Sequence, residues 1–246
     1  MTSVFNLSCI ICAYNEAPRI ADVLSVATAH RLLQEVIVVD DGSTDGTADI
    51  VRSFRSVRLI SYPENRGKSQ AFAEGLRVAK NDYLMYLDAD LKHLTPENIT
   101  ELADPILSGC FDLSISIRKN SLIIYRWIGL DFVSGERVIP KRIVVERLSE
   151  IDRLPPFGIE AFMNEHIIKE RLRIAVVRFE NVINSRKMEK MGRCRGMLAD
   201  WKAARDILKV ISPLEVVLQN YRMLALCRST TRTRFPLKAA ADAAQE

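Results

Sequence analysis

The feature that most constrains the fold of this chain is an alternation of short apolar segments with helix-patterned segments over residues 7–117. Most of the apolar segments are continuous, which is typical of strands buried on both faces of a sheet. Predicted strands cover residues 7–13, 35–40, 57–61, 83–87 and 111–117, the last of which alternates like a half-exposed strand. Predicted helices cover residues 16–31, 45–54 and 67–79, and a fourth begins at Thr95.

This order predicts an α/β fold, with a doubly wound, mostly parallel sheet and helices on both of its faces. Sheets of this kind bind ligands outside the carboxyl ends of their strands. Polar residues follow three of the predicted strands at that edge. They are Tyr14-Asn15-Glu16, Asp40-Asp41 and Asp88-Ala89-Asp90. Three polar motifs at one edge predict a single ligand site there.

The second half of the chain has a less regular pattern. Residues 134–137 look like a turn, and residues 155–158 introduce a predicted helix over 159–171. A late strand is predicted over residues 173–179, followed by amphipathic helices over 199–210 and 214–226. The length of 246 residues and the apolar fraction of 48% fit one larger α/β domain with a C-terminal helical extension.

The net charge of +4 is unevenly distributed along the chain. Residues 186–238 hold 13 Lys or Arg against 4 Asp or Glu. A basic segment of this kind favours anionic partners, such as phosphorylated substrates or a membrane surface. The alternative is a solvated helix face followed by a tail.

Cysteine content and the N-terminus indicate a reducing compartment. There are five cysteines, no basic leader, and no apolar run of the roughly 18 residues that a membrane span needs. We therefore expect a cytoplasmic protein. Cys9 and Cys12 are three apart on a predicted strand and so point to opposite faces, which makes them core residues rather than a metal or disulfide pair.

The two carboxylates of Asp88-Ala89-Asp90 would repel each other if nothing lay between them. A divalent cation relieves that repulsion, and Mg²⁺ or Mn²⁺ prefers carboxylate oxygens with phosphate completing its shell. The alternative is a turn or a pair of helix caps.

Two further motifs support a nucleotide at this edge. Asp40-Asp41-Gly42-Ser43 places acids before a glycine turn, where they could accept hydrogen bonds from a base or a sugar or could cap the next helix. Asn65-Arg66-Gly67-Lys68 places cations at a helix N-terminus, which is a natural phosphate site. The spacing of a P-loop is absent.

Together these motifs resemble the signature of family 2 glycosyltransferases with the GT-A fold, over roughly residues 5–190. Residues 134–137 (SGER) resemble an SGxR segment of a bacterial subset that includes polyprenyl-phosphate and phosphoglycerate sugar transferases. Residues 157–160 (FGIE) are similar to the acidic catalytic motif of that subset, and residues 181–184 (NVIN) to its metal-proximal segment.

The resemblance implies roles for individual residues. The implied nucleotide-binding residues are Ala13, Tyr14, Glu16, Asp41, Lys68 and Asp88. The implied ligands of the metal, Mg²⁺ or Mn²⁺, are Asp90 and Asn184. Asn184 occupies a position where related proteins often carry a histidine. Glu160 is the implied catalytic acid nearest the acceptor, and Ser134, Gly135 and Arg137 are the implied substrate-binding residues.

The resemblance also implies a division of the chain. Residues 1–190 form the predicted GT-A domain, with a nucleotide-binding half at 1–118 and an acceptor half at 119–190. Residues 191–246 form the predicted basic, amphipathic C-terminal helices and tail.

The predicted function is transfer of a sugar from a nucleoside-diphosphate-sugar donor to an acceptor hydroxyl, metal-assisted and with inversion, although some GT-A enzymes with a similar Gly-x-Glu segment retain configuration. The sequence does not identify the acceptor, and the candidates are a lipid phosphate and a small phosphorylated molecule. The basic C-terminus could also touch the inner face of a membrane, and no nucleic-acid partner is expected. The alternatives are a nucleotidyltransferase, which the absence of glycine from residues 12–16 disfavours, and a non-catalytic nucleotide-sugar binding module.

Overall fold

A computed structural model describes residues 6–185, 205, 206, 209 and 212–228 of the chain. The strands are β1 Leu7–Ala13, β2 Leu33–Asp40, β3 Val57–Ser61, β4 Tyr83–Asp88, β5 Leu91–Lys92, β6 Leu113–Arg118, β7 Arg137–Pro140, β8 Ile174–Phe179 and β9 Ile183–Asn184. The helices are α1 Ile20–Ala29, α2 Thr47–Ser53, α3 Lys68–Val78, α4 Pro96–Leu107, α5 Ile123–Ile128, α6 Arg142–Val145, α7 Leu148–Ile151, α8 Ile159–Lys169 and α9 Pro213–Arg228.

Seven strands form one sheet in the order β3-β2-β1-β4-β7-β6-β8. Every neighbouring pair is parallel except those made by β7, which runs antiparallel to both β4 and β6. The predicted α/β class and mostly parallel sheet are therefore confirmed. A second, two-stranded ladder pairs β5 with β9.

Hydrophobic residues pack on both faces of the sheet, which explains why the first strands are continuously apolar. Ile10 and Ile37 lie in one core with α3 and α8, and Ile11 and Val38 lie in the other with α1 and α4. Cys9 belongs to this second core, whereas Cys12 packs against the first, so the two thiols do point to opposite faces.

Strand β6 differs from its prediction as a half-exposed strand, because all six of its residues are buried. Its serines alternate with apolar residues, but they find partners inside the protein. Ser114 donates to the carbonyl oxygen of Leu102 at 2.5 Å, and Ser116 donates to Glu136 at 2.7 Å. Internal hydrogen bonds thus replace the solvent that the alternating pattern indicated.

The region of residues 119–158 holds β7 and three short helices that the sequence did not predict. Strand β7 has four residues and begins at the fully buried Arg137, so neither its length nor its composition resembles a core strand. Helices α6 and α7 have four residues each, too few to show a helical period.

Helix α9 packs against α8 and β8, so it is part of the main core. Met223 is fully buried there, and the Gln219 amide donates to the carbonyl oxygen of Ala161 at 3.1 Å. This helix confirms the predicted element at 214–226. The predicted helix at 199–210 and the tail lie outside the described residues, apart from positions 205, 206 and 209.

Among the helices that the structure describes, none combines the length and the apolar character needed to cross a bilayer.

Helix α3 packs closely on the sheet at Gly75. A Cβ at that position would lie 2.6 Å from Ile10 Cγ2 of β1. Replacing a helical glycine by alanine ordinarily stabilises by about 1 kcal/mol. Here the clash dominates, and we expect Gly75→Ala to lower the free energy of unfolding by about 1–3 kcal/mol in urea titrations. In an Ile10→Ala background, which removes the clashing methyl, the same change should be neutral or stabilising; equal losses in both backgrounds would contradict this packing.

Candidate functional site

The loops after β1 and β2 are joined by reciprocal hydrogen bonds at the carboxyl edge of the sheet. The amide of Asn15 donates to Ser43 Oγ at 2.8 Å, and the amide of Thr44 donates to Asn15 Oδ1 at 2.9 Å. The amide of Glu16 donates to Thr47 Oγ1 at 2.9 Å. These bonds fix the start of the loop, in which the side chain of Tyr14 stays 46% exposed beside buried Ala13.

Asp41 holds the loop that precedes α3. Its two carboxylate oxygens accept from the backbone amides of Arg66 and Gly67 at 2.7 and 2.8 Å. Burial raises the pKa of the Asp41 carboxyl, and these two amides partly offset that effect. The cap of α2 is Gly46 instead, so Asp41 organises the 65–67 loop rather than that helix.

Ser69, the second residue of α3, attaches the turn that leads into α8. Its amide donates to the carbonyl oxygen of Pro156 at 3.1 Å, and its hydroxyl donates to that of Pro155 at 2.8 Å. The amide of Gly158 in turn donates to Ser69 Oγ at 3.2 Å. Two helix starts that are 91 positions apart in the chain, Lys68 and Ile159, are therefore held side by side.

Lys68 lies between two carboxylates because of that attachment. Its Nζ is 2.9 Å from Asp88 Oδ1 at the end of β4 and 2.7 Å from Glu160 Oε1 in the first turn of α8. Burial disfavours the ammonium charge, but the two carboxylates outweigh it and hold the pKa of Lys68 well above its usual value. The ring of Tyr86 packs below the ammonium, with its centroid 5.0 Å away.

Arg118, at the end of β6, approaches the other oxygen of Asp88 at 3.4 Å. Its Nη1 is paired more tightly with the fully buried Glu136, at 2.7 and 2.8 Å from the two carboxylate oxygens. Glu136 also accepts from the hydroxyls of Ser116 and Ser134. Burial raises the pKa of Glu136, whereas Arg118 and the two serines oppose that rise. Asp88 is thus held from both sides, by Lys68 and by Arg118.

Two of the predicted substrate-binding residues form the wall behind Asp88. No side chain would fit at position 135, because a Cβ on Gly135 would lie 2.3 Å from Asp88 Oδ1. Ser134 is fully buried and bonded to Glu136 at 2.8 Å.

The third predicted substrate-binding residue, Arg137, is also fully buried. Its guanidinium donates to the carbonyl oxygens of Phe132 and Ser134 and to the side-chain oxygen of Asn164. Burial lowers the pKa of this guanidinium. Arg137 therefore shapes the 131–136 loop from inside the protein.

Asp90 and Asn184 are brought together by the two-stranded ladder, in which Leu91 pairs with Asn184. Asn120 clamps Asn184 from the side: its Nδ2 donates to Asn184 Oδ1 at 3.0 Å, and its Oδ1 accepts from the Asn184 amide at 3.2 Å. No group of three His, Cys, Asp or Glu side chains with metal-binding geometry occurs within the described residues. One carboxylate and one amide oxygen are nevertheless a donor set that fits Mg²⁺ or Mn²⁺, because such ions take few protein ligands when a phosphate supplies the rest.

The sequence reasoning missed Arg118 and Asn120, and it gave no role to Glu136. A weak signal existed for Arg118, which ends an apolar strand on the same edge as Asp88. Glu136 lies inside the SGER segment, but nothing in that segment indicates a buried partner.

Comparison with known proteins identifies the relatives of this chain. The profile of glycosyl transferase family 2 matches residues 8–131. A poly-β-1,6-N-acetyl-D-glucosamine synthase of Staphylococcus epidermidis is 36% identical over 91 residues, which are 35% of this chain and 22% of the synthase. An undecaprenyl-phosphate 4-deoxy-4-formamido-L-arabinose transferase of Aeromonas hydrophila is 35% identical over 128 residues, 48% of this chain and 39% of the transferase. The match thus spans well under half the length of each of these two relatives.

Similar solved structures include glucosyl-3-phosphoglycerate synthase from Mycobacterium tuberculosis, in complex with Mn²⁺, uridine diphosphate and glucosyl-3-phosphoglycerate. The TM-score is 0.64 at 22% sequence identity, with 83% of this chain and 79% of the synthase covered. This similarity confirms the predicted GT-A fold.

The Arg118–Glu136 pair should be a large contribution to stability. Glu136→Ala removes the carboxylate that pairs with Arg118 and leaves the guanidinium buried without it. We therefore expect the free energy of unfolding, measured by denaturant titration, to fall by about 3–5 kcal/mol. The matched control is Glu165→Ala, which removes an exposed pair with Lys169 on α8 and should cost less than about 0.5 kcal/mol. Similar losses in the two variants would show that burial does not strengthen the first pair.

Proposed function

The chain belongs to glycosyl transferase family 2, and on that premise we propose that it transfers a sugar from a nucleoside-diphosphate-sugar donor to an acceptor hydroxyl. The observation that carries this proposal is the position of Lys68 between Asp88 and Glu160. That contact joins the end of a nucleotide-side strand to an acid of the acceptor half. A donor bound at Asp88 and an acceptor at Glu160 would meet at this point.

The nucleotide would occupy the edge formed by the loops after β1, β2 and β4. Tyr14 presents an exposed ring on which a base can stack, flanked by Ala13 and Glu16. Asp41, which holds the 65–67 loop, would form the adjacent wall, and Asp88 would accept from a ribose hydroxyl. These residues position the donor, and positioning alone can supply a large part of the rate.

Asp90 and Asn184 would hold the divalent metal, with the donor diphosphate as their partner. When bound, the metal would offset the negative charge that develops on the leaving diphosphate. The clamp made by Asn120 keeps the amide of Asn184 oriented for this task. The chemistry of the donors suits Mg²⁺ and Mn²⁺ equally, and Mn²⁺ is the ion bound in the mycobacterial synthase complex.

Glu160 would act as the general base. It lies in the first turn of α8, and its carboxylate is oriented by Lys68 at the point where both halves meet. Removal of the acceptor proton as the oxygen attacks the anomeric carbon would displace the diphosphate from the opposite side. The expected product therefore has inverted anomeric configuration, which proton NMR of the product measures directly.

A phosphorylated acceptor is the class we favour. The names of two relatives specify such compounds, undecaprenyl phosphate in one and phosphoglycerate in the other. Ser134, Gly135 and Arg137 would support the acceptor site from behind Asp88 rather than contact the acceptor, because all three are buried. We also propose a cytoplasmic location, where nucleotide sugars are available. The proposed membrane contact through residues 191–246 lies mostly outside the described part of the chain.

Two rival functions are less well supported. Nucleotidyltransferase chemistry is not favoured by membership of this family. A binding module without activity would bind the donor but release no diphosphate.

A thermal-shift panel of UDP, GDP and dTDP with Mn²⁺ identifies the base, since a ligand at 100 times its dissociation constant stabilises the folded protein by about 2.7 kcal/mol. A coupled assay for diphosphate release from the matching nucleotide sugar then tests the transfer itself.

Asp90→Ala should remove the metal dependence of donor binding. In calorimetry, the nucleoside diphosphate selected by the panel should bind the variant with the same weak affinity in Mn²⁺ and in EDTA, and diphosphate release should be lost. The control is Asp49→Ala on the exposed face of α2, which should behave as the unmodified protein. Full Mn²⁺-dependent affinity in Asp90→Ala would remove Asp90 from the metal site.

Glu160→Gln should keep the shape of the side chain but lose the base. We expect turnover to fall by about 10²–10⁴ while the affinity for the nucleoside diphosphate changes little. Glu165→Gln, on the same helix but paired with Lys169 at the surface, is the matched control and should keep normal turnover. Near-normal turnover in Glu160→Gln would assign the base to another residue.

A further inference from the structure

Helix α5 exposes an apolar surface that the proposed transfer reaction does not use. Trp127 is 88% exposed, Ile123 76%, Leu122 63% and Ile124 56%, and none of the six residues of the helix is buried. We define these four side chains, with Arg126 and Arg178, as the α5 surface. Isolated exposed apolar residues are normal, but a contiguous group of this size marks an interaction site.

The α5 surface is firmly attached to the fold. The ring of Tyr125 packs edge-on against Phe132, with the centroids 5.3 Å apart, and belongs to the rim of the main core. Before the helix, Ser121 donates to the buried carboxylate of Asp131 at 2.7 Å and accepts from the amide of Arg118. The helix that carries the apolar side chains is therefore attached to the fold through Ser121 and Tyr125.

Positive charge accompanies the apolar side chains. Residues 119–130 contain Lys119 and Arg126 and no Asp or Glu. Arg178, near the end of β8, joins Arg126 at the edge of a cavity of about 250 Å³ that Ile123 and Trp127 also line. Lys119, Arg126 and Arg178 are all exposed, and no ion pair to any of them occurs among the described residues.

We propose that the α5 surface docks on an anionic phospholipid bilayer. Tryptophan favours the interfacial region, where its ring is apolar and its indole N–H is wet. Isoleucine and leucine add buried area at the level of the acyl chains, and arginine side chains can extend to the lipid phosphates. The charge and apolar character of the surface match such an interface on both counts.

A second copy of the chain is a poorer fit. A stable protein interface buries about 800 Å² on each partner, whereas a six-residue helix is only about 9 Å long. An excess of unpaired cations would also repel an identical surface across a two-fold axis.

The α5 surface lies close in the chain to residues of the proposed site. The helix begins three residues after Asn120, which clamps Asn184 beside Asp90. A bilayer held by α5 would therefore lie next to the acceptor side of the proposed site. Binding of the α5 surface to lipid does not depend on sugar transfer, so the two can be tested separately.

Vesicle flotation with the full chain tests the proposal. Vesicles of phosphatidylcholine with phosphatidylglycerol should bind the protein, and vesicles of phosphatidylcholine alone should bind it less. Ile123→Glu with Trp127→Glu should lower the bound-to-free ratio at least tenfold, with an unchanged melting temperature. Arg126→Glu with Arg178→Glu should abolish the preference for phosphatidylglycerol.

The matched control is Val217→Glu with Tyr221→Glu, which places two acids on the exposed face of α9 and should leave vesicle binding intact. Three results would overturn the proposal. The unmodified protein could fail to float, or the Ile123/Trp127 variant could bind normally, which would assign binding to the basic segment 191–246. Light scattering could also reveal a dimer that this variant dissociates, which would make the surface a contact between copies.

Discussion

The ammonium of Lys68 is the interaction on which the rest of the site depends. Two carboxylates, from Asp88 and Glu160, face each other at the junction of β4 and α8, and each is within 3 Å of the same nitrogen. Without that charge the acids would repel each other and the junction would have to open. Because Arg118 and Glu136 continue the alternation of charge on the far side of Asp88, the whole edge is held by a chain of opposite charges. A buried chain of this kind is stable only while every member has its partner.

The attachment of Ser69 to the 155–158 turn explains how this geometry arises from local structure. Proline residues at 155 and 156 have no amide hydrogens to satisfy, and their carbonyl oxygens are free to accept from Ser69. The turn then begins α8 directly beside the start of α3. As a result the first residues of two helices, rather than flexible loops, carry Lys68 and Glu160 to their meeting point.

Sequence reasoning recovered the first half of the fold well, because strands buried on both faces leave an unmistakable continuous apolar pattern. The carboxyl-edge rule also put Asp41, Asp88 and Asp90 at the same edge of the sheet, where the parallel strands β2 and β4 end. It failed for β7 and for the Arg118–Glu136 pair, since a four-residue strand and a charge buried against its partner have no periodic signature. The serines of β6 were misleading for the same reason: a hydrogen bond inside the protein looks, in sequence, like exposure to water.

The order of strands in the sheet has a consequence for how the chain folds. Strands β1 to β4 occupy one side of the sheet in a continuous stretch of the chain, whereas β6, β7 and β8 occupy the other. The first group itself contains a long-range pair, because β1 pairs with β4 and so joins Leu7 to Tyr83, and the β4–β7 seam in turn joins Tyr83 to Pro140. Pairs between residues this far apart in the chain are entropically costly and slow to form. Beside this seam Asp88 meets Arg118 of β6, and it shares the Lys68 ammonium with Glu160 of α8. The charged cluster around Lys68 needs both of these long-range pairings, so it should form late in folding, after the local helices and turns.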